Sequence, residues 1–104
     1  MSALTPVNKE QIDSSFASMT DAILLCHKQL CPHCKNMEKV VTKFSAKNPS
    51  VEIYSVDSEE HPELMQNLSF ERVPTLVFVR NGKVVDVKSG LMNPRELKAL
   101  HASL

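Results

Sequence analysis

The chain has 104 residues, of which 42% are hydrophobic and 23% charged, the composition of one ordinary globular domain spanning residues 1–104. Twelve basic side chains balance twelve acidic ones, and a formal net charge of zero excludes a nucleic-acid or anionic-membrane reader that works through bulk charge. Two glycines leave no glycine-rich phosphate loop, three cysteines do not make a disulfide-stapled secreted scaffold, and no apolar run approaches the ~20 residues a membrane span needs.

The segment from Met1 to Pro6 has no positive stretch followed by an apolar one, so no signal peptide is expected and a cytoplasmic location is. Asn8 and Gln11 form an approximate capping box for a first helix, and Ile12, Phe16 and Met19 recur along one helical face. The short apolar run Ala22 to Cys26 reads as a strand buried on both faces. A helix is expected from Cys31 to Lys47, with Met37, Val40, Val41 and Phe44 inward and lysines outward, stopped by Asn48-Pro49. Val51 to Val56 is a second buried strand. A short helix should cover Pro62 to Leu68, with Leu64, Met65 and Leu68 as its apolar face. Thr75 to Val79 and Lys83 to Val87 flank Asn81-Gly82, the signature of a two-residue hairpin. Asn93, Pro94 and Glu96 then open a last helix that turns Leu97 and Leu100 inward, before the chain ends at Leu104. A strand–helix–strand crossover followed by a hairpin implies a mixed central sheet with helices on both faces, an α/β/α sandwich.

The residues that carry chemistry are Cys31-Pro32-His33-Cys34, placed after a buried strand and opening a helix. The first turn of a helix offers unpaired N–H groups and the positive end of the dipole, which stabilise a thiolate at Cys31. Cys34, three residues on, shares that face closely enough to close a small disulfide ring. Pro32 suits the first turn because it needs no N–H there. His33 can hydrogen-bond or charge-pair with the Cys31 sulfur. Three readings stand for the pair: a redox dithiol, a metal site completed by His33 or His27, or an incidental pair. No second Cys-x-x-Cys or His-x₃₋₅-His knuckle is present to complete a structural zinc site. Cys26 reads as a small core hydrophobe and the methionines as core filler. His61 and His101 read as surface residues.

Over essentially its whole length the chain resembles the thioredoxin family. The resemblance rests on Cys31-Pro32-His33-Cys34-Lys35, Val73-Pro74-Thr75, Asn81-Gly82-Lys83 and Gly90, in that order. It implies a thioredoxin fold, a cis peptide at Pro74 facing Cys31, and a substrate groove. There the Val73 backbone would pair with an extended peptide, and Leu30, Val73, Pro74 and Gly90 would bind substrate. Val56, Arg72, Ser89 and Leu91 would complete the rim.

The departures bear on mechanism. Leu30 stands where the family usually has tryptophan, and Pro32-His33 replaces its Gly-Pro, a dipeptide similar to that of the periplasmic disulfide oxidases. The family's buried aspartate is replaced by Leu25, its nearby lysine by Ile53, and the proline that kinks the active-site helix by Lys39. Cys34 therefore lacks the usual proton acceptor.

The resemblance implies a monomeric thiol–disulfide oxidoreductase without cofactor or metal. Its catalytic residues would be Cys31, Cys34, His33 and Pro32. It would act on protein disulfides and be recharged by a thioredoxin reductase or similar donor, without nucleic-acid or membrane partners. A more stabilised Cys31 thiolate makes the disulfide more oxidising than that of an ordinary thioredoxin. Two other classes remain: a metal-binding module using Cys31, Cys34 and a nearby histidine, and a peptide-binding scaffold without turnover. With no net charge, selectivity is expected from local contacts around Cys31 and Pro74, with little long-range steering.

Overall fold

The computed structural model describes residues 4–14, 16–29 and 31–104. Among these, five strands form one sheet: β1 (Thr5–Pro6), β2 (Asp21–His27), β3 (Glu52–Asp57), β4 (Thr75–Arg80) and β5 (Lys83–Ser89), in the order β1-β3-β2-β4-β5. Four helices accompany them: α1 (Lys9–Asp13), α2 (Pro32–Lys47), α3 (Pro62–Asn67) and α4 (Pro94–Ser103). β3 runs parallel to β1 and β2, whereas β4 is antiparallel to β2 and to β5. The sheet is mixed, as the crossover and the hairpin require.

The central strands are apolar throughout because both of their faces are covered. Side chains alternate across a strand. Ile23 and Leu25 of β2 therefore pack with Met37, Val41 and Phe44 of α2 and Leu97 of α4. Leu24 and Cys26 pack on the other side with Ile12 of α1 and Leu64 of α3. β4 repeats the division, with Leu76 and Phe78 towards α2 and α4, and Val77 and Val79 towards α1 and α3. Thr75 is the polar exception, fully buried with its hydroxyl 2.5 Å from the Arg72 carbonyl and 2.8 Å from Ser89 Oγ.

Local signals fix the connections. The reciprocal capping boxes at Asn8/Gln11 and Asn93/Glu96 are both formed. Asn81 and Gly82 take φ of 52° and 74°, the left-handed pair that a tight hairpin needs. A Cβ on Gly82 would lie 2.8 Å from the Ala17 carbonyl oxygen, so only glycine fits there.

Several elements differ from the sequence expectation. α1 ends at Asp13, where the Ser14 hydroxyl bonds back to the Gln11 carbonyl and competes with the helix. Phe16 then turns to φ 63°, yet Phe16 and Met19 still reach the core. β1 carries no periodic signal, being two exposed residues held by pairing Thr5 with Tyr54 and Pro6 with Ser55. α3 stops at Asn67, one residue short of Leu68.

Candidate active site

β2 ends at His27, and the chain passes from there to Cys31 at the start of α2. Cys31 is the N-cap of α2, in an extended conformation at φ −111° and ψ 104°, with Pro32 at the first helical position. The side chain of an N-cap lies over the free N–H groups of the first turn. Here the cap is a sulfur: Cys31 Sγ accepts from the backbone N–H of Cys34 at 3.2 Å. The two side chains also bear on each other, Cys34 lowering the pKa of Cys31 and Cys31 raising that of Cys34. All three cysteines are free thiols.

This arrangement separates the two thiols chemically. The hydrogen bond from Cys34 holds the Cys31 pKa below the ordinary thiol value. Burial opposes the shift, while the Cys34 backbone N–H, the Lys28 charge and the His33 backbone N–H reinforce it. Cys34 is pushed up to about 11, first by burial and next by its side-chain interaction with Cys31, which favours the protonated thiol. The Lys28 backbone N–H and ammonium oppose that rise. Cys26, on the opposite face of the sheet, is pushed up to about 12 by burial and by the proximity of Cys34.

Behind the pair lies a cavity of about 360 Å³ whose walls include Leu25, His27, Lys28, Cys31, Cys34, Lys35, Glu38 and Ser55. Leu25 is 1% exposed, and Ile53 is buried in the same apolar cluster. The position of the family's buried carboxylate is thus apolar, and the polar groups stand around it.

The second half of the site comes from β4 and β5. The Val73–Pro74 peptide is cis, Pro74 is buried and Val73 half-buried. The Pro74 carbonyl accepts the Gly90 N–H at 3.0 Å, and Gly90 has φ 99° with open space where a Cβ would stand. Cys26 pairs with Thr75 across β2 and β4, so the start of β4 lies at the sheet edge from which the chain reaches Cys31.

Several expected residues need correction or placement. Val56 is 1% exposed inside the core on the α1 and α3 side, so it does not form the groove rim. A strand residue facing inward belongs to packing, and the alternation of β3 turns Val56 that way. Arg72, Ser89 and Leu91 are exposed. Leu30 lies outside the described residues. The His33 ring is exposed, and its residue acts on Cys31 through the backbone N–H. The cationic side chain bearing on both thiols is Lys28. Nothing marked Lys28 in advance except its place three residues before Cys31. Glu38 reads in the sequence as an outward position of α2, but it is half-buried on the cavity wall, one helical turn beyond Cys34. Among the described residues, no group of three His, Cys, Asp or Glu side chains is placed to hold a metal ion, and no helix is long and apolar enough to cross a membrane.

Comparison with known proteins agrees with this geometry. The family model for thioredoxin matches residues 3–103. The solution structure of reduced desulfothioredoxin from Desulfovibrio vulgaris Hildenborough superposes with a TM-score of 0.89 at 58% identity, covering 100% of each chain. Thioredoxin-1 of Saccharomyces cerevisiae is 28% identical over 88 residues, 85% of this chain and 84% of that protein. Monothiol glutaredoxin-S17 of Arabidopsis thaliana is 31% identical over 84 residues, 81% of this chain but 17% of that much longer protein.

Proposed function

The chain belongs to the thioredoxin family and is a disulfide oxidoreductase, and from that premise we propose that Cys31 and Cys34 are its working dithiol, poised to be more oxidising than an ordinary thioredoxin. The observation that carries this reading is the Cys34 N–H donated to Cys31 Sγ at 3.2 Å; Cys34 lowers the Cys31 pKa, while burial and then Cys31 raise that of Cys34. Cys31 attacks one sulfur of a substrate disulfide as its thiolate. The substrate S–S bond breaks, one substrate sulfur leaves as thiolate, and a mixed disulfide to Cys31 remains. Cys34 then loses its proton and attacks Cys31 Sγ, expelling the second substrate sulfur. Two electrons have passed to the substrate, and the protein holds a Cys31–Cys34 disulfide.

His27 and Glu38 stand on the wall of the cavity behind Cys34 and are the groups suited to take its proton in place of the missing aspartate. Val73 would offer its backbone to an extended substrate strand. Pro74 and Gly90, joined by their hydrogen bond, would shape the groove beside it. Pro32 starts the helix that presents Cys31 and Cys34, and His33 supplies a backbone donor to the Cys31 sulfur. The substrates in this reading are protein disulfides, and a thioredoxin reductase or a similar donor returns the dithiol. We place the protein in the cytoplasm as a monomer, where its disulfide would be a transient catalytic one.

The test is a Cys34→Ser variant incubated with a disulfide-containing protein. It should accumulate a covalent mixed disulfide through Cys31, visible by mass and released by dithiothreitol. A variant that turns over normally, or forms an adduct only at Cys26, contradicts these roles.

A further inference from the structure

The zero net charge conceals a segregation of charge between the two faces of the sandwich. On the face of α2 and α4, Lys35, Lys39, Lys43 and Lys47 recur every four residues along α2, all of them exposed. A four-residue repeat keeps side chains on one side of a helix. On the opposite face, the loop before α3, α3 itself and the turn after it expose Glu59, Glu60, Glu63 and Glu71.

At the far end of the α2 stripe the surface becomes concave. A groove of about 870 Å³ opens between the end of α2 and the start of α4, with Lys43, Lys47, Arg95 and Lys98 around it. Phe44, Ala46 and Pro94 supply apolar wall, and no carboxylate lines it. Among the described residues, none of these four cations forms an ion pair. The near end of the stripe is Lys35, which lines the cavity shared by Cys31 and Cys34. Lys35 and Lys47 are separated by about 18 Å at the 1.5 Å rise of an α-helix.

We propose that this groove docks an acidic segment of a partner protein, holding that partner against α2 so that its disulfide or dithiol meets Cys31. The four cations match carboxylates in sign, and the apolar wall suits the stems between them. An extended segment of about six residues spans the stripe. A long polyanion such as nucleic acid fits less well. It is held by many phosphate contacts along an extended track, whereas the basic track here is one helix long, about 18 Å, and is backed by an acidic face. The groove also changes the expectation of little long-range steering, because local charge of one sign raises encounter rates even at zero net charge.

The delivery step rests on the proposed dithiol chemistry, but the docking does not, so two readouts are needed. In the first, a cysteine-free hexaglutamate peptide is titrated into the reduced protein at low salt and followed by amide shifts. The shifts should cluster at residues 43–48 and 93–98, vanish at high salt, and weaken at least tenfold in a K43Q/K47Q/R95Q/K98Q variant. In the second, exchange is timed with two disulfide peptides that differ only in flanking glutamates or flanking glutamines. The variant should slow the glutamate peptide about tenfold, in line with electrostatic steering, and change the glutamine peptide less than twofold. Shifts that are absent or lie elsewhere, or a variant that binds hexaglutamate as well as the parent, overturn the proposal. So does tighter binding of a six-nucleotide thymidine strand at the same residues. Loss of exchange with both peptides in the parent protein strikes the dithiol reading and leaves the titration to decide the docking.

Discussion

The backbone N–H of Cys34 points at the sulfur of Cys31 across 3.2 Å. One residue thereby caps the helix and is the nucleophile of the proposed reaction. Ser, Thr, Asp and Asn usually occupy that position because their oxygens satisfy the free N–H groups of the first turn. A thiolate does the same with a full negative charge, so the helix that needs a cap also favours ionised sulfur.

The pH dependence of Cys31 alkylation should show this directly. With its pKa lowered, the thiolate is populated at lower pH than in an ordinary thiol, and the rate midpoint should fall below that range. Replacing Cys34 with Ala should raise the midpoint more than Lys28→Gln does, because the thiol hydrogen bond outweighs the Lys28 charge. A larger effect from Lys28→Gln would reverse the ranking of causes.

Position 25 tests the apolar wall behind the thiols. Leu25 is 1% exposed and packs in the cluster that also holds Ile53. Leu25→Asp would restore the family's carboxylate without its partner lysine. The lost apolar burial and the unpaired polar group should together cost about 3 kcal/mol or more, read from urea unfolding. A loss below about 1 kcal/mol would mean that the site already accommodates a charge.

Alkaline pH should weaken the reduced protein. In the unfolded chain all three thiols ionise near 9.0, whereas the folded protein holds the Cys34 proton to about 11 and the Cys26 proton to about 12. Raised folded pKa values give stability that is present below the unfolded value. That stability is lost as pH rises from about 9 towards the folded values, by about 1.4 kcal/mol per pH unit for each proton. Cys31 has a lowered pKa and acts in the opposite sense, stabilising the fold above its own titration range. Unfolding midpoints from pH 8 to 11 check this, and Cys26→Ala should flatten the fall. A profile as steep as the parent's would remove Cys26 from the explanation.

Most of the fold was legible because its signals are local. The capping residues Asn8 and Asn93, the Asn81-Gly82 turn and the unbroken apolar runs of β2 and β4 each report their own conformation. What escaped depends on tertiary contact. β1 is set by pairing with β3; the end of α1 is the local exception, set by Ser14 bonding back to Gln11. At the site, the cysteine pair and the cis proline were readable, the proline only by family resemblance. Lys28 and Glu38 were not singled out, because their relevance comes from the cavity that β2 and α2 enclose together. His33 is adjacent in sequence, yet the helical first turn leaves it exposed, and its backbone rather than its ring favours the Cys31 thiolate.

In the proposed function, the Cys34 contacts stabilise the Cys31 thiolate, and with it the reduced dithiol, beyond what an ordinary thioredoxin achieves. The reduction potential of the Cys31–Cys34 couple, measured by equilibration with a defined glutathione buffer, decides this. Thioredoxin lies near −270 mV and a strong disulfide oxidase near −120 mV, with about 30 mV equivalent to about 1.4 kcal/mol. The geometry predicts a value clearly less negative than about −270 mV. A value at or below that figure, or failure to form a reversible Cys31–Cys34 disulfide at all, contradicts it.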